Sequence, residues 1–244
     1  MNDLQGKNAL IIGGSNGIGK ELCLSLAKNG INLCIHGSKK SQNLDSLIQE
    51  CAKFGIKAES VTQRFDSDFF KNKQYTELLP QLQKADILCI CHGPFVQEAL
   101  HKTNAEQWEL MATMNYAMPG FFVSAALNKM KDRHFGRILL FGGTHTDSIR
   151  AFRTNAAYAG AKTGLSVLVK SVALEYAAFN ITCNAIMPGL VDSPLLSEET
   201  KQKLAEKMPL KKLIPTEKIC RCALELISSD AYNGILMNID SGWN

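Results

Sequence analysis

Asn8-Ala9-Leu10-Ile11-Ile12-Gly13-Gly14-Ser15-Asn16-Gly17-Ile18-Gly19 decides how the rest of the chain is read. Its first five residues form a short, mostly apolar run that fits a buried strand. The glycines that follow let the backbone bend tightly and approach a ligand. From Lys20 to Asn29 apolar residues recur at helical spacing (Leu22, Leu24, Leu26, Ala27), and Gly30 closes that helix. Residues 31–35 read as a second buried strand. Strand, glycine turn, helix and strand make the right-handed crossover unit of a parallel sheet. The amides that open the helix face an anion such as a pyrophosphate. At this place in a chain the turn predicts dinucleotide binding rather than a plain bend.

The alternation continues outward from that unit. Helices are predicted over 41–54, 69–83, 105–131 (one helix or two, around Pro119) and 216–229, and strands over 57–62, 86–91, 181–186 and 234–240. The strands read as continuously apolar, as in a sheet covered by helices on both faces. Residues 190–214 are polar and carry Ser193-Pro194, Met208-Pro209 and Pro215, so they are predicted to form a mobile cover with short helices. No linker, repeat or biased segment divides the chain, and residues 1–244 are read as one α/β domain.

Composition bounds the partners. Hydrophobic residues make up 45% of 244 and charged residues 20%, which suits a globular chain with a sizeable core. A net charge of +4 with scattered lysines argues against nucleic acid or a membrane surface as the main partner. No charged-then-apolar leader precedes the first strand, and no apolar run approaches a membrane span. The eight cysteines stand singly or as Cys-x-Cys, mostly among apolar neighbours. Buried reduced thiols in a cytoplasmic protein are expected, and no metal site.

A second stretch carries the chemistry. Gly136-Arg137-Ile138-Leu139-Leu140-Phe141-Gly142-Gly143-Thr144 reads as a buried strand running into a glycine turn, and Tyr158-Ala159-Gly160-Ala161-Lys162 opens a helix beyond it. Tyrosine and lysine four apart lie on one helix face. An ammonium nearby pulls a phenol below its ordinary pKa of about 10. A phenol so tuned can give a proton to a carbonyl oxygen or take one from an alcohol.

The glycine turn, Asn115, Tyr158, Lys162 and Pro188-Gly189, in this order and spacing, resemble the short-chain dehydrogenase/reductase family, and its 3-oxoacyl-acyl-carrier-protein reductase type in particular. The likeness runs from Gly6-Lys7 to Asp240-Ser241-Gly242. It implies a Rossmann-type, doubly wound sheet of seven parallel strands, a nicotinamide cofactor, and hydride exchange between a carbonyl and an alcohol. It places the pyrophosphate on Gly13, Ser15, Gly17, Ile18 and Gly19, with neutral Asn16 in the same turn. It puts Asp66 against adenine and Pro188-Gly189 beside the cofactor. It gives Tyr158 the proton transfer, Lys162 the nicotinamide ribose and the tuning of the tyrosine, and Asn115 a water path to the lysine. The family's Asn-Asn-Ala-Gly strand end reads Ile90-Cys91-His92-Gly93 here. That departure keeps backbone contacts at Gly93 and loses the asparagine side chains; His92 reads as a packed loop histidine.

Further expectations follow. The acidic residue that bonds the ribose of NAD is missing from Ile35-His36-Gly37-Ser38-Lys39-Lys40, so Ser38 and Lys39 are expected to meet the 2′-phosphate of NADPH. Counted from Gly136-Arg137 the family's catalytic serine falls on Gly143, and counted back from Tyr158 it falls nearer His145. Thr144, between the two, is expected to supply the hydroxyl, ahead of Thr146 and Ser148. Arg150 and Arg153 read first as solvated loop charges, and otherwise as a clamp for an acidic substrate. Apolar residues on more than one face of the Asn115 and Tyr158 helices predict a homo-oligomer, a tetramer first. The competing reading is an NADP-binding sensor or scaffold with weakened turnover.

Overall fold

The computed structural model describes residues 4–194 and 196–243. β1 (Asn8–Ile12) runs into α1 (Gly17–Lys28), β2 (Asn32–Gly37), α2 (Gln42–Ala52) and β3 (Ala58–Thr62). A short α3 (Leu79–Lys84) leads to β4 (Ile87–Ile90). α4 (Ala105–Ala112) and α5 (Met118–Arg133) are joined by a π-helical turn at Thr113–Ala117. β5 (Gly136–Phe141), α6 (Ala156–Tyr176), β6 (Ile181–Pro188), α7 (Glu198–Ala205), α8 (Thr216–Ser228) and β7 (Leu236–Ile239) complete the order.

The described strands form one seven-stranded sheet in the order β3-β2-β1-β4-β5-β6-β7, parallel throughout. β1 therefore lies between β2 and β4, and the direction of winding reverses there. Ligands of such sheets bind at that reversal, outside the carboxyl ends of the strands. Side chains alternate across the sheet, so β1 feeds two cores. Ala9 and Ile11 pack with Leu22 and Leu26 of α1 and Ala223 and Ile227 of α8. Leu10 and Ile12 pack on the other face with Phe122 and Ala126 of α5 and Leu165 and Val169 of α6.

Three expectations need correction. β3 is an edge strand with Glu59 and Ser60 exposed, so it is not apolar throughout. The helix expected over 69–83 is turns, a 3-10 turn at Thr76–Leu78 and the short α3. Pro80 has no N–H to give to a preceding turn, which suits the first turn of a helix and not its interior. Finally, Ala105–Arg133 is a continuous helical run long and apolar enough to cross a membrane by composition. Half of its most apolar window is buried within the fold. The 190–214 segment holds α7, and Val191 pairs with Ile214 across it, so both ends of the cover are tied together; Leu195 lies outside the described residues.

Candidate active site

A groove runs along the carboxyl ends of the central strands. Its first half is a cavity of about 520 Å³ bounded by the β1–α1 turn, the ends of β2 and β3, and the end of β4. Gly13 and Gly17 sit at φ +77° and +53°, where side chains are strained. A Cβ on Gly19 would lie 2.2 Å from the Gly13 carbonyl oxygen, so α1 can approach the turn this closely only with glycine there. Asn16 makes no side-chain cap on α1, and the first turn carries no acidic residue. The opening amides of a twelve-residue helix thus point into the cavity without a carboxylate competing for them. This cradle fits a pyrophosphate.

His36 fixes the cradle from behind. The Gly13 N–H donates to its Nδ1 (3.2 Å) and its Nε2 lies 2.8 Å from the Gln63 carbonyl. Only 2% of the residue is exposed, and that burial holds its pKa down to about 4. The ring is therefore neutral, with Nε2 as donor and Nδ1 as acceptor. It stacks on Phe65 (centroids 4.6 Å apart, planes at 9°), and the edge of Phe65 meets His92 at 5.8 Å. His92 is also held below the usual histidine value, by burial first and by the Lys162 ammonium second.

The far end of this cavity departs from the sequence-based assignment. Ser38 lines it, but Lys39 does not. Asp66 is exposed and outside the lining; its carboxylate accepts from the Asp68 amide and from Gln74. Gln63, Arg64 and Phe65, just before it, line the cavity instead. A short turn claims the aspartate, and the chain reaches the groove earlier than the family pattern implies. No acidic residue lines this cavity, and Arg64 makes no ion pair among the described residues. Arg64, Phe65 and His36 were missed as site residues. The available signal was their place at or just beyond the carboxyl ends of the predicted second and third strands.

The proposed catalytic side chains meet where the groove turns. Lys162 is 4% exposed, and its Nζ donates to the Phe141 carbonyl at 2.7 Å. Burial lowers its pKa to about 8. Nζ lies 5.9 Å from the Tyr158 ring centroid. The Tyr158 phenol is pushed up to about 12 by burial, opposite to the direction expected from its lysine neighbour. Desolvation outweighs the ammonium because that ammonium is turned to a carbonyl and is itself partly neutralised near pH 8. A phenol with this pKa holds its proton at neutral pH and is placed to donate it.

Asn115 sits in the π-helical turn with none of its surface exposed. Its Nδ2 donates to the Pro94 carbonyl at 3.0 Å, while Oδ1 is a buried acceptor with no hydrogen-bond partner. A Cβ on Gly93 would come within 2.4 Å of that oxygen and 2.9 Å of Lys162 Nζ. Glycine at 93 is what lets the end of β4 lie against both groups.

The second half of the groove is a cavity of about 370 Å³ beyond Tyr158. Thr144 lines it and donates its hydroxyl to the Pro188 carbonyl at 2.8 Å. Thr146 is fully buried, with its hydroxyl both accepting from the Gly143 amide and donating to the Gly143 carbonyl. Gly143 faces the tyrosine: a Cβ there would lie 2.8 Å from Tyr158 Cε1 and 3.0 Å from its hydroxyl oxygen. Pro188 and Gly189 line this half rather than the first, and Gly189 is held to glycine by Asp240 Cα, 2.8 Å from where its Cβ would be. Arg150 and Arg153 are exposed and outside the lining, which fits solvated charges. Phe95, Phe152 and Trp243 line it and were not foreseen.

The family model for short chain dehydrogenase matches residues 7–204. A D-beta-hydroxybutyrate dehydrogenase of Rhizobium meliloti (strain 1021) is 29% identical over 258 aligned residues, covering 97% of this chain and 98% of its own. A 3-oxoacyl-acyl-carrier-protein reductase FabG of Aquifex aeolicus (strain VF5) is 29% identical over 248, covering 98% of each chain. The solved acetoin dehydrogenase YohF of Salmonella typhimurium shares the fold, with a TM-score of 0.85 over 98% of this chain and 96% of that one at 23% identity.

Proposed function

The chain belongs to the short-chain dehydrogenase family of oxidoreductases, and on that premise we propose that it is an NADPH-dependent carbonyl reductase whose proton donor is Tyr158. The observation that carries this reading is the meeting of Tyr158, Lys162 and Asn115 between the two halves of the groove, a cradle that fits a pyrophosphate and a smaller cavity beyond it. The whole chain acts as one unit, with residues 190–214 as the cover. When bound, a nicotinamide cofactor supplies the hydride.

The chain's own residues divide the remaining work. Gly13, Ser15, Asn16, Gly17, Ile18 and Gly19 hold the pyrophosphate, and Gly93 and the Lys162 ammonium border the ribose next to the reacting ring. Ser38 takes the 2′-phosphate with Arg64 in place of Lys39, because Arg64 lines the cavity and no carboxylate there would repel a phosphate. Tyr158 gives its proton to the substrate oxygen as charge develops on it. The Lys162 ammonium supplies the replacement proton from the interior side, and the open acceptor Oδ1 of Asn115 would hold a water on the path that recharges it. Thr144 is the second donor to the oxygen: it lines the cavity and its hydroxyl has one partner to leave, whereas the fully buried Thr146 is engaged with Gly143 both as acceptor and as donor.

Oxidation of NADPH by a panel of ketones and 3-oxoacyl thioesters is the test. Substrate-dependent oxidation that disappears in Tyr158→Phe is expected. Tight NADPH binding with no oxidation by any member would favour the second reading, an NADP-binding sensor; Gly143, lacking a hydroxyl beside Tyr158, is what supports that alternative. We also propose a homotetramer, supported by Leu174 at 87% and Val167 at 63% exposed on α6. Eight free cysteines support a reducing, cytoplasmic setting.

A further inference from the structure

The phenylalanine and tryptophan rings of the second cavity come from three parts of the chain. Phe95 follows β4, Phe152 stands in the loop before α6, and Trp243 arrives from beyond β7. Phe95 packs edge-on against Tyr158, with centroids 4.9 Å apart and planes at 84°. It is nevertheless 56% exposed, so a large part of that ring has no protein partner. Trp243 is held in place twice: its side chain packs against the core under α8, and its carbonyl takes a short hydrogen bond from the ring of His145. His145 pays for that bond with a left-handed backbone at φ +59°. The C-terminal segment is thus a wall of the cavity, fastened to the same loop that carries Gly143 and Thr144.

Among the described residues no lysine, arginine, aspartate or glutamate lines this cavity. Lys162 is turned to the Phe141 carbonyl, and Arg150 and Arg153 are outside. A carboxylate bound here would lose part of its hydration to apolar walls with no lysine or arginine to offset the loss. A flat apolar group would instead meet ring faces and edges, the arrangement aromatic pairs prefer. The volume, about 370 Å³, is at the small end for ligand pockets.

We propose that the substrate is a small uncharged ketone, or its alcohol, bearing an aromatic ring next to the reacting carbon, and that Phe95 and Trp243 are the residues that select it. The inference deepens the carbonyl reductase reading and rests on it for the position of the reacting oxygen beside Tyr158.

The chain has two tryptophans, so Trp108→Phe leaves Trp243 as the reporter inside the cavity. With NADPH saturating, quenching of Trp243 fluorescence is titrated with acetophenone, with cyclohexyl methyl ketone and with acetoacetate. Acetophenone is expected to bind about tenfold more tightly than the saturated ketone, and Phe95→Ala is expected to cost it about tenfold while leaving NADPH affinity unchanged. Acetoacetate is expected to bind weakest. Phe95→Leu, which keeps apolar bulk without the ring, should likewise keep fold and cofactor binding but lose the preference. Equal or tighter binding of acetoacetate overturns the proposal, as does a preference for acetophenone that survives Phe95→Ala, or no response to acetophenone. Binding of acetophenone without NADPH oxidation would leave the cavity's selectivity standing and remove the reductase reading instead.

Discussion

The half of the groove whose shape fits a pyrophosphate is made largely of backbone, and the half beyond Tyr158 largely of side chains. In the first, glycines at 13, 17 and 19 and the uncapped amides of α1 set the shape, and His36 locks it through a main-chain amide and a main-chain carbonyl. In the second, the rings of Phe95, Phe152 and Trp243 stand around a phenol, and the backbone position that faces that phenol, Gly143, is a glycine. A backbone cradle can serve one ligand class across many chains. A side-chain cavity can be re-cut without disturbing the sheet beneath it. The difference teaches where specificity can change in this molecule: at residues 95, 144–155 and 243, and hardly at all before residue 20.

Breaking the chemistry should leave the cradle intact. Tyr158→Phe is expected to lower turnover by roughly 10²–10⁴-fold, the usual contribution of a placed acid, with NADPH affinity within about twofold of wild type by calorimetry. Thr144→Ala should cost turnover about tenfold, less than a free oxyanion donor because its hydroxyl already serves Pro188. A loss of cofactor affinity in Tyr158→Phe would show that the two halves are not separable.

Lys162 sharpens the comparison through stability, since it belongs to both halves. Its folded pKa, about 8, lies below the ordinary 10.5. Below about pH 8 folded and unfolded chains both carry the proton, and the burial penalty is constant and fully present. Between the two values only the unfolded chain holds the proton, so stability rises with pH across that window. The gap corresponds to about 3 kcal/mol. Lys162→Met is therefore expected to be inactive yet more stable by about 1–3 kcal/mol in urea melts near pH 7, an advantage that shrinks as wild type climbs above about pH 8. A variant less stable than wild type at neutral pH would mean that the bond to the Phe141 carbonyl outweighs desolvation.

The smallest expected effect tests the open end of the cradle. Arg64→Ala should weaken NADPH about tenfold and leave NADH within about twofold, because an exposed guanidinium contributes only modestly to a phosphate contact. Lys39→Ala should change neither by much. If Lys39 proves the stronger determinant, the sequence-based assignment holds over the geometric one.

The same division explains what could be read from residues alone. The glycine turn was legible because glycine is a local backbone requirement, visible without knowing what packs nearby. Tyr158 and Lys162 were legible as a pair at helical spacing, but the direction of the tyrosine's pKa was not, because burial is a property of the whole fold. Arg64 and Phe65 went unread because a one-turn tie between Asp66, Asp68 and Gln74 changes which residues at the end of β3 reach the groove. α3 was overestimated from apolar spacing that turns also satisfy. Trp243 was beyond reach, since nothing local says that the last segment returns to the loop after β5.

The strand order has a consequence for how the chain is made. β1 pairs with β2 through a short crossover, but its other neighbour is β4. At the usual pace of synthesis the chain from β1 to the end of β4 takes about 4–16 s to emerge. Leu10 and Ile12, which face the α5–α6 core, wait longer still, because both of those helices follow β4. β1, an interior strand of the finished sheet, is thus made well before the helices that cover one of its faces. A ribosome-bound fragment ending before residue 86 should therefore be held by chaperones or cut by protease within β1, and one extending past α6 should be protected there.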